Sequence, residues 1–224
     1  MNVFMVYAHQ DTTSFGSAMH NRALSFFEKR GDQVTVSDLY GSGFHAVAAK
    51  WDFVTSGGPH QNYMMEQKRI AEKDNGAGFA EDIKTEIARL RAAELIVFEF
   101  PIWWNAPPAI MKGWFDKVFA LGIAWDGSHR YQNGLLHGKK ALIITSAGDD
   151  ESLYTPEGVH KATLTQYLYP LLHGTLAQSG FDVLKPFIAY NLTAAGEDER
   201  QEMLARLNSY LESWSSNPVY LYKN

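Results

Sequence analysis

The chain of 224 residues contains no cysteine. It can therefore form no disulfide, offers no thiol nucleophile and cannot hold an iron–sulfur cluster through thiolates. It also has no apolar run long enough to cross a bilayer. Its first residues, MNVFMV, include neither a basic leader nor a cleavage site. From these absences we expect a cytoplasmic protein that is not inserted in a membrane.

Positive charge is scarce as well. The 20 Lys and Arg residues are outnumbered by 25 Asp and Glu residues, so no basic surface for nucleic acid is expected. The histidines lack the paired spacing of a metal site. The Walker and GxGxxG loops are missing, and Ser146 has no GxSxG context.

With 46% hydrophobic residues, the chain is expected to form a single domain over residues 1–224, with about 191–224 as a C-terminal extension.

Strand-like and helix-like segments alternate along the chain. This alternation predicts an α/β fold in which helices cover both faces of a doubly wound, five-stranded parallel sheet. The stretch 40–78 has no regular pattern, and Pro170 should kink or divide the helix that contains it. The predicted strands are 3–8, 34–39, 95–100, 139–145 and one within 181–190; the predicted helices are 17–30, one around 83–90, 108–119, about 160–178 and 197–214.

Three loops should meet at the carboxyl edge of this sheet, where ligands bind in open α/β sheets. The first, 9–17, combines a helix start with four hydroxyl groups and could hold an anion; a polar turn without a ligand explains it equally well. The second, 101–107, has two adjacent tryptophans that suit a flat conjugated ligand. The third, 145–149, is small and contains glycine, so its backbone can approach a ring edge. Together the loops meet the requirements of a flavin in a flavodoxin-like fold.

Several longer motifs agree with this interpretation. Ala8-His9 is followed by Thr13-Ser14-Phe15, and residues 108–115 read PAIMKGWF. Tyr154 precedes Gly158-Val159-His160 by four residues. Through these motifs nearly the whole chain resembles the NAD(P)H:quinone oxidoreductases of the DT-diaphorase type, which are flavodoxin-like FAD enzymes.

The resemblance implies a homodimer with its active site at the subunit interface. NAD(P)H would be the co-substrate, and a hydride would pass through flavin N5 to a quinone or similar aromatic acceptor by a ping-pong mechanism. The FAD-binding residues it implies are His9, Thr13, Ser14, Phe15, Ala18, Pro101, Ile102, Trp103, Trp104, Asn105, Ser146, Ala147, Gly148, Asp149, Tyr154 and Arg200. The substrate-binding residues it implies are Trp104, Asn105, Trp125, Gly127, His160 and Gln178.

Tyr154 and His160 are the implied catalytic pair. A phenol and an imidazole can donate hydrogen bonds, or a proton, to the negative charge that appears on the N1 side of a reduced flavin. Considered without the resemblance, His160 is more simply a helix-start histidine bound to water, and Tyr154 an ordinary half-buried tyrosine. The acids at 149–151 could suggest a cation site, but three acids in a loop are typical of a solvated surface.

The chain departs from the family at three positions of the acceptor site. Asn105, Gly127 and Gln178 stand where the family has aromatic residues, so we expect a more open and more polar pocket. Two alternatives stay open. One is an FMN-dependent enzyme similar to azo- and nitroreductases, and the other is a redox-sensing regulatory subunit of a potassium-efflux system.

Overall fold

A parallel β-sheet forms the centre of the molecule, and a computed structural model describes residues 1–54, 62–74 and 76–216. The strands are β1 (Asn2–Tyr7), β2 (Gln33–Asp38), β3 (Leu95–Pro101), β4 (Lys140–Ser146), β5 (Asp182–Val183) and β6 (Phe187–Ala189). These strands pair in parallel, and their order is β2-β1-β3-β4-β5, with β6 also paired to β4. The predicted parallel α/β sheet is therefore confirmed.

The fifth position of the sheet is shared by two short strands. Lys140 of β4 is in register with Asp182 of β5, and Ile144 is in register with Phe187 of β6. Pro186 lies between the two segments and has no N–H to donate to a ladder. The single strand predicted within 181–190 is therefore in the right place but interrupted.

Helices cover both faces of the sheet. The helices are α1 (Phe15–Lys29), α2 (Tyr63–Asp74), α3 (Glu81–Ala92), α4 (Ala109–Val118), α5 (Leu164–Tyr167), α6 (Tyr169–Leu171) and α7 (Glu197–Ser213), with a π-helical segment at Leu172–Ala177. Successive residues of a strand point to opposite faces, so Phe4 joins the core beneath α3 and α4, whereas Met5 joins the core beneath α1 and α7. Trp114 of α4 is fully buried.

The expectation of an irregular stretch at 40–78 is wrong, because α2 lies within it. The buried face of α2 carries Glu66 and Gln67 next to Ile70, which hides the apolar periodicity of the helix. Gln67 donates to the carbonyl of Asp116 at 3.0 Å, and the N–H of Leu121 donates to Gln67 at 3.2 Å. Residues 55–61 and 75 of that stretch lie outside the described residues.

The helical stretch predicted at about 160–178 begins four residues later than expected, and its predicted division near Pro170 is confirmed. The first helical residue is Leu164, and Thr163 caps the helix by accepting from the N–H of Gln166. The chain then divides at Leu168, two residues before Pro170, into short segments. His160 consequently lies in a loop.

No helix within the described residues is long and apolar enough to cross a membrane. Residues 217–224 of the predicted C-terminal extension lie outside the described part.

Candidate active site

The three loops at the carboxyl ends of β1, β3 and β4 enclose a cleft with a cavity volume of about 530 Å³. Most of the residues predicted to hold a flavin meet there. The predicted residues that line the cleft are His9, Thr13, Ser14, Phe15, Pro101, Ile102, Trp103, Ser146, Ala147, Gly148 and Arg200, and they are joined by Asp11, Gly16 and Leu192.

Asp11 organises the loop between β1 and α1. Its carboxylate accepts hydrogen bonds of 2.7 Å from both the N–H and the hydroxyl of Thr13. Its carbonyl accepts from the hydroxyls of Ser14 and Ser17 at 2.8 and 2.7 Å. The hydroxyls expected to face a ligand are thus largely engaged within the loop. The remaining donors are the N–H groups of the first turn of α1, which have no carbonyl partner within the helix.

His9 has a defined protonation state in this loop. The N–H of Asp11 donates to His9 Nδ1 at 3.1 Å, so the proton of the neutral ring is on Nε2. Burial lowers the pKa of His9, and the charge of Asp11 offsets only part of that effect. The hydrogen bonds from Thr13 lower the pKa of Asp11. A neutral His9 can therefore donate one hydrogen bond from Nε2 to an anion.

The loop after β3 forms a tight two-residue turn. The N–H of Trp103 donates to the carbonyl of Ala106 at 2.9 Å, and the N–H of Ala106 donates back at 3.1 Å. Trp104 and Asn105, at the centre of the turn, have φ angles of 52° and 58°. A left-handed conformation is uncommon for a bulky residue such as tryptophan and is found mostly at functional positions. The turn leaves the side chain of Trp104 99% exposed.

The loop after β4 is packed against the chain that follows β6. The N–H of Ala147 donates to the carbonyl of Ala189 at 2.8 Å. At Gly148, a Cβ atom would lie 2.7 Å from the hydroxyl oxygen of Thr193. Glycine at this position leaves room for the side chain of Thr193, and the predicted close approach of this backbone to a ring edge stays a prediction.

Arg200, near the start of α7, reaches the far end of the cleft. Its Nη2 donates a long hydrogen bond of 3.4 Å to the carbonyl of Leu192. Its Nε is buried and makes no hydrogen bond to any residue that the structure describes. A buried guanidinium nitrogen without a partner is costly unless a ligand satisfies it. The donors of this cleft, namely helix N–H groups, His9 Nε2 and Arg200, therefore fit a diphosphate-containing cofactor.

Tyr154 and His160 are brought together, although not in the way the sequence suggested. Their rings stack with centroids 4.1 Å apart and an interplanar angle of 11°. His160 Nε2 lies 2.8 Å from a carboxylate oxygen of Asp149. Burial raises the pKa of Tyr154, and the negative charges of Asp149 and Tyr167 raise it further. The phenol is therefore protonated at neutral pH and can donate a hydrogen bond.

The pairing of Asp149 with His160 was not predicted. Two of the acids at 149–151 are engaged rather than merely solvated, since Asp150 accepts from the N–H of Ser152 at 2.9 Å and caps a short 3-10 turn. No local pattern signals the pairing, because it depends on a turn at Gly158 that returns the chain to Asp149.

Several predicted residues lie outside the cleft. Ala18 packs on the core side of α1, and Arg130 covers the ring of Trp125 at 5.8 Å. The carbonyl of Gln178 accepts from the N–H of Tyr131 at 2.9 Å, and Gly127 has open space around it. Trp104, Asn105, Asp149, Tyr154 and His160 are not among the residues that line the cleft either.

Two other findings bear on the choice of site. Within the described ranges, no three His, Asp or Glu residues cluster as metal ligands would. A larger concavity of about 830 Å³ lies along β6 and α7 and includes Tyr154, Phe187 and Arg206. It lies at the edge of the sheet, whereas the smaller cleft collects the loops at the strand ends, where α/β proteins bind ligands.

Comparison with known proteins agrees with the geometry. Residues 1–212 match a family described by its flavodoxin-like fold. Over 219 residues the chain is 37% identical to ribosyldihydronicotinamide dehydrogenase (quinone) of Pongo abelii, covering 97% of this chain and 94% of that protein. It is 34% identical to NAD(P)H dehydrogenase (quinone) 1 of Cavia porcellus, covering 96% and 78% of the two chains. A protein from Klebsiella pneumoniae, provisionally named a quinone reductase, has a structure that superposes with a TM-score of 0.93 at 30% identity, over 100% of this chain and 88% of that one.

Proposed function

This chain belongs to the family of flavodoxin-like proteins, alongside the quinone dehydrogenases that it matches, and we propose that it is an FAD-dependent NAD(P)H:quinone oxidoreductase. The observation that carries the proposal is the meeting of the three strand-end loops in one cleft. Gly148 of that cleft is followed directly by Asp149, which is paired with His160 beside Tyr154.

Each loop has a distinct role in this proposal. The first turn of α1 and His9 would hold the diphosphate, because they offer N–H donors, and Arg200 would hold the adenosine half. Pro101, Ile102 and Trp103 would border the flavin ring, and the segment 146–148 would meet its polar edge with backbone groups. When bound, the flavin would supply the hydride-transfer chemistry between NAD(P)H and the acceptor. The ping-pong order belongs to the proposal, since donor and acceptor would use the same face in turn.

FAD is preferred over FMN because of where the cleft ends. Beyond the start of α1 it continues to Leu192 and Arg200. FMN ends at its single phosphate and would leave this part of the cleft and the unpaired Arg200 Nε without a partner. The adenosine half of FAD extends in that direction.

Tyr154 and His160 would stabilise charge on the cofactor. The hydroxyl of Tyr154 makes no hydrogen bond to any described residue, so it is free to donate to a ligand. Donors placed in advance where negative charge develops can accelerate a reaction by about 10² to 10³-fold. His160 would supply or hold a proton, which a quinone needs on reduction.

The acceptor site is proposed to form between two copies of the chain. Trp104 is 99% exposed, and Trp51, Met64 and Met65 are each at least half exposed, so a second copy has apolar surface to cover. Trp125, Gly127 and Gln178 lie outside the cleft and would complete the acceptor site from the second copy. Asn105, Gly127 and Gln178 would make that site open and polar, so we expect it to accept more polar quinones.

The first test is the visible absorption spectrum of the purified protein, followed by chromatography of the flavin released on denaturation. We expect FAD that NAD(P)H bleaches and a simple naphthoquinone reoxidises. FMN would instead favour the azo- and nitroreductase-like alternative. Slow turnover together with a stable membrane-protein partner would favour the regulatory subunit. A protein that takes up no flavin on reconstitution would contradict the proposal.

The contribution of Arg200 gives the cofactor assignment a sharper test. We expect Arg200→Ala to weaken FAD binding by about 10- to 100-fold, since a hydrogen bond to a charged group contributes about 1.5–3 kcal/mol. FMN binding should change much less, because FMN does not reach Arg200. Isothermal titration of the flavin-free protein with each flavin measures both affinities. Equal losses for the two flavins would contradict the assignment of Arg200 to the adenosine half.

A further inference from the structure

We propose that Asp149 is the positioning residue for His160: its carboxylate accepts the Nε2 proton and holds the imidazole flat against the ring of Tyr154. The inference rests on the proposed function, because it assigns a second residue to the same catalytic pair. The carboxylate oxygen and Nε2 are 2.8 Å apart, and the two stacked rings are 4.1 Å apart.

The backbone of His160 is held independently of this contact. Its N–H donates to the carbonyl of Leu153 at 3.0 Å, and its carbonyl accepts from the hydroxyl of Tyr167 at 2.7 Å. These bonds fix the position of the Cα atom but leave the side chain free to rotate. Among the described residues, Asp149 alone makes a hydrogen bond to the imidazole ring. The orientation of the ring therefore depends on Asp149.

Asp149 is itself well anchored. Its carbonyl accepts from the N–H of Asn191 at 2.9 Å, and the carbonyl of Gly148 accepts from the N–H of Thr193 at 3.1 Å. The segment after β6 thus fixes the backbone from which the carboxylate extends. A carboxylate whose backbone is anchored in this way can orient a catalytic imidazole. Carboxylates orient metal-binding histidines in the same way.

The pairing decides which nitrogen of His160 exchanges a proton. Because Nε2–H is donated to Asp149, the neutral ring has its lone pair on Nδ1. The ring must therefore take up and release its proton at Nδ1, which Asp149 leaves free. The titratable groups that face this ring are Asp149, Tyr154 and Tyr167.

Nuclear magnetic resonance of the flavin-free protein tests the positioning without any turnover. The chain has 8 histidines. The imidazole proton signal that is missing from the spectrum of His160→Gln is therefore assigned to His160. In the wild type we expect an upfield ring-current shift from the stacked Tyr154. In Asp149→Ala the signal should move downfield, and in Asp149→Asn, which retains an acceptor, it should largely return. A His160 signal that is the same in all three proteins would overturn the proposal.

The reduction of bound flavin by NAD(P)H tests the consequence for catalysis. We expect Asp149→Ala to slow reduction by about 10-fold, and Asp149→Asn, which retains an acceptor, to recover most of the rate. Glu151→Gln is the matched control, because it removes the same charge two residues away without touching His160. An equal loss of rate in Glu151→Gln would overturn the specific role of Asp149.

The magnetic resonance and flavin-reduction experiments test the positioning role of Asp149 and the proposed function separately. A wild-type protein without flavin would contradict the proposed function, yet the magnetic resonance result would still decide whether Asp149 positions His160. A flavoprotein whose Asp149→Ala variant loses the ring-current shift but keeps its reduction rate would overturn the catalytic consequence alone.

Discussion

The molecule contains two groups in which a tyrosine, a histidine and a carboxylate contact one another. In the first, the rings of Tyr7 and His20 stack at 4.3 Å with an angle of 22°, and His20 Nδ1 lies 2.6 Å from Glu99. We call it the core group. In the second, formed by Tyr154, His160 and Asp149, the stacking distance is 4.1 Å and the histidine–carboxylate distance is 2.8 Å. We call it the cleft group because Asp149 directly follows Gly148, which lines the cleft, although none of the three residues lines the cleft itself.

The two groups differ in what surrounds them. In the core group the side chains of His20 and Glu99 are 12% and 4% exposed, and the hydroxyl of Tyr7 shares a 2.5 Å hydrogen bond with Ser17. In the cleft group Asp149 is 51% exposed, and the hydroxyl of Tyr154 has no partner among the described residues. The same contacts therefore stabilise the fold in one place and leave donors available to a ligand in the other.

The largest expected difference is in the effect of removing the carboxylate. Glu99→Ala should lower the free energy of unfolding by about 3 kcal/mol, because it leaves a buried partner without compensation. Asp149→Ala should lower it by less than about 1 kcal/mol, since exposed ion pairs contribute little. Urea unfolding of both variants measures the difference, with Glu99→Gln as a control that retains an acceptor. Equal losses in the two Ala variants would show that burial does not distinguish the groups.

The next largest difference is in catalysis. Tyr154→Phe should slow flavin reduction by about 10- to 100-fold while flavin binding persists, because the donor to the reduced cofactor is lost. His160→Gln should behave in the same way. Tyr7→Phe is the matched control, since it removes the same hydroxyl from the core group, and its rate should stay within about 2-fold of the wild type. Stopped-flow absorbance measures all three, and unchanged rates in the cleft variants would remove their catalytic role.

Tyr7→Phe should lower stability more than Tyr154→Phe, which is the reverse of their expected effects on flavin reduction. Tyr7→Phe removes a buried hydrogen bond to Ser17, and we expect a loss of about 1 kcal/mol. For a chain of this length that loss corresponds to about 2–4 °C in Tm. Tyr154→Phe, whose hydroxyl has no partner among the described residues, should change Tm by less than about 1 °C. Differential scanning calorimetry of the flavin-free proteins provides the comparison, and a larger loss in Tyr154→Phe would reverse our assignment of the two groups.

The smallest expected effect is a pH dependence of stability that belongs to the core group. Burial lowers the pKa of His20, but the hydrogen bond and the charge of Glu99, with a contribution from Asp38, outweigh burial and raise it above its usual value. The protonated ring therefore stabilises the folded state fully below the usual histidine pKa of 6.5, and this stabilisation is lost as pH rises through the higher value in the folded state. The stability difference between the wild type and Glu99→Gln should shrink as pH rises from below 6.5 through the higher pKa of His20 in the folded state.

Urea unfolding of the two proteins across that range measures this dependence. Asp149→Asn serves as the comparison variant, because its carboxylate lies in the cleft group and contacts neither His20 nor Glu99. A stability difference between the wild type and Glu99→Gln that grows with rising pH would contradict a raised pKa of His20 in the folded state.

Much of the fold follows from local sequence. The apolar runs of β1, β3 and β4 predict buried parallel strands to within one residue. The helix α2 escapes this kind of prediction because its buried face is partly polar. Glu66 pairs with Arg69, and Gln67 bonds to the backbone of Asp116 and Leu121, which are distant in sequence.

The candidate site likewise has features that local sequence predicts and others that it does not. Residue types alone predicted the three strand-end loops and the signature at 108–115, because the succession of segments along the chain and the composition of each loop are local properties. The folded chain was needed to show that Asp11 binds the loop hydroxyls, that Arg200 reaches the cleft and that Asp149 meets His160. The bonds of Asp11 are local but depend on the geometry of the turn, and the contact of Asp149 with His160 depends on how the intervening chain folds back. A hydrogen bond requires positions accurate to a fraction of an ångström. Residue patterns specify which face or edge a side chain occupies, whereas packing of distant segments sets the distances on which chemistry depends.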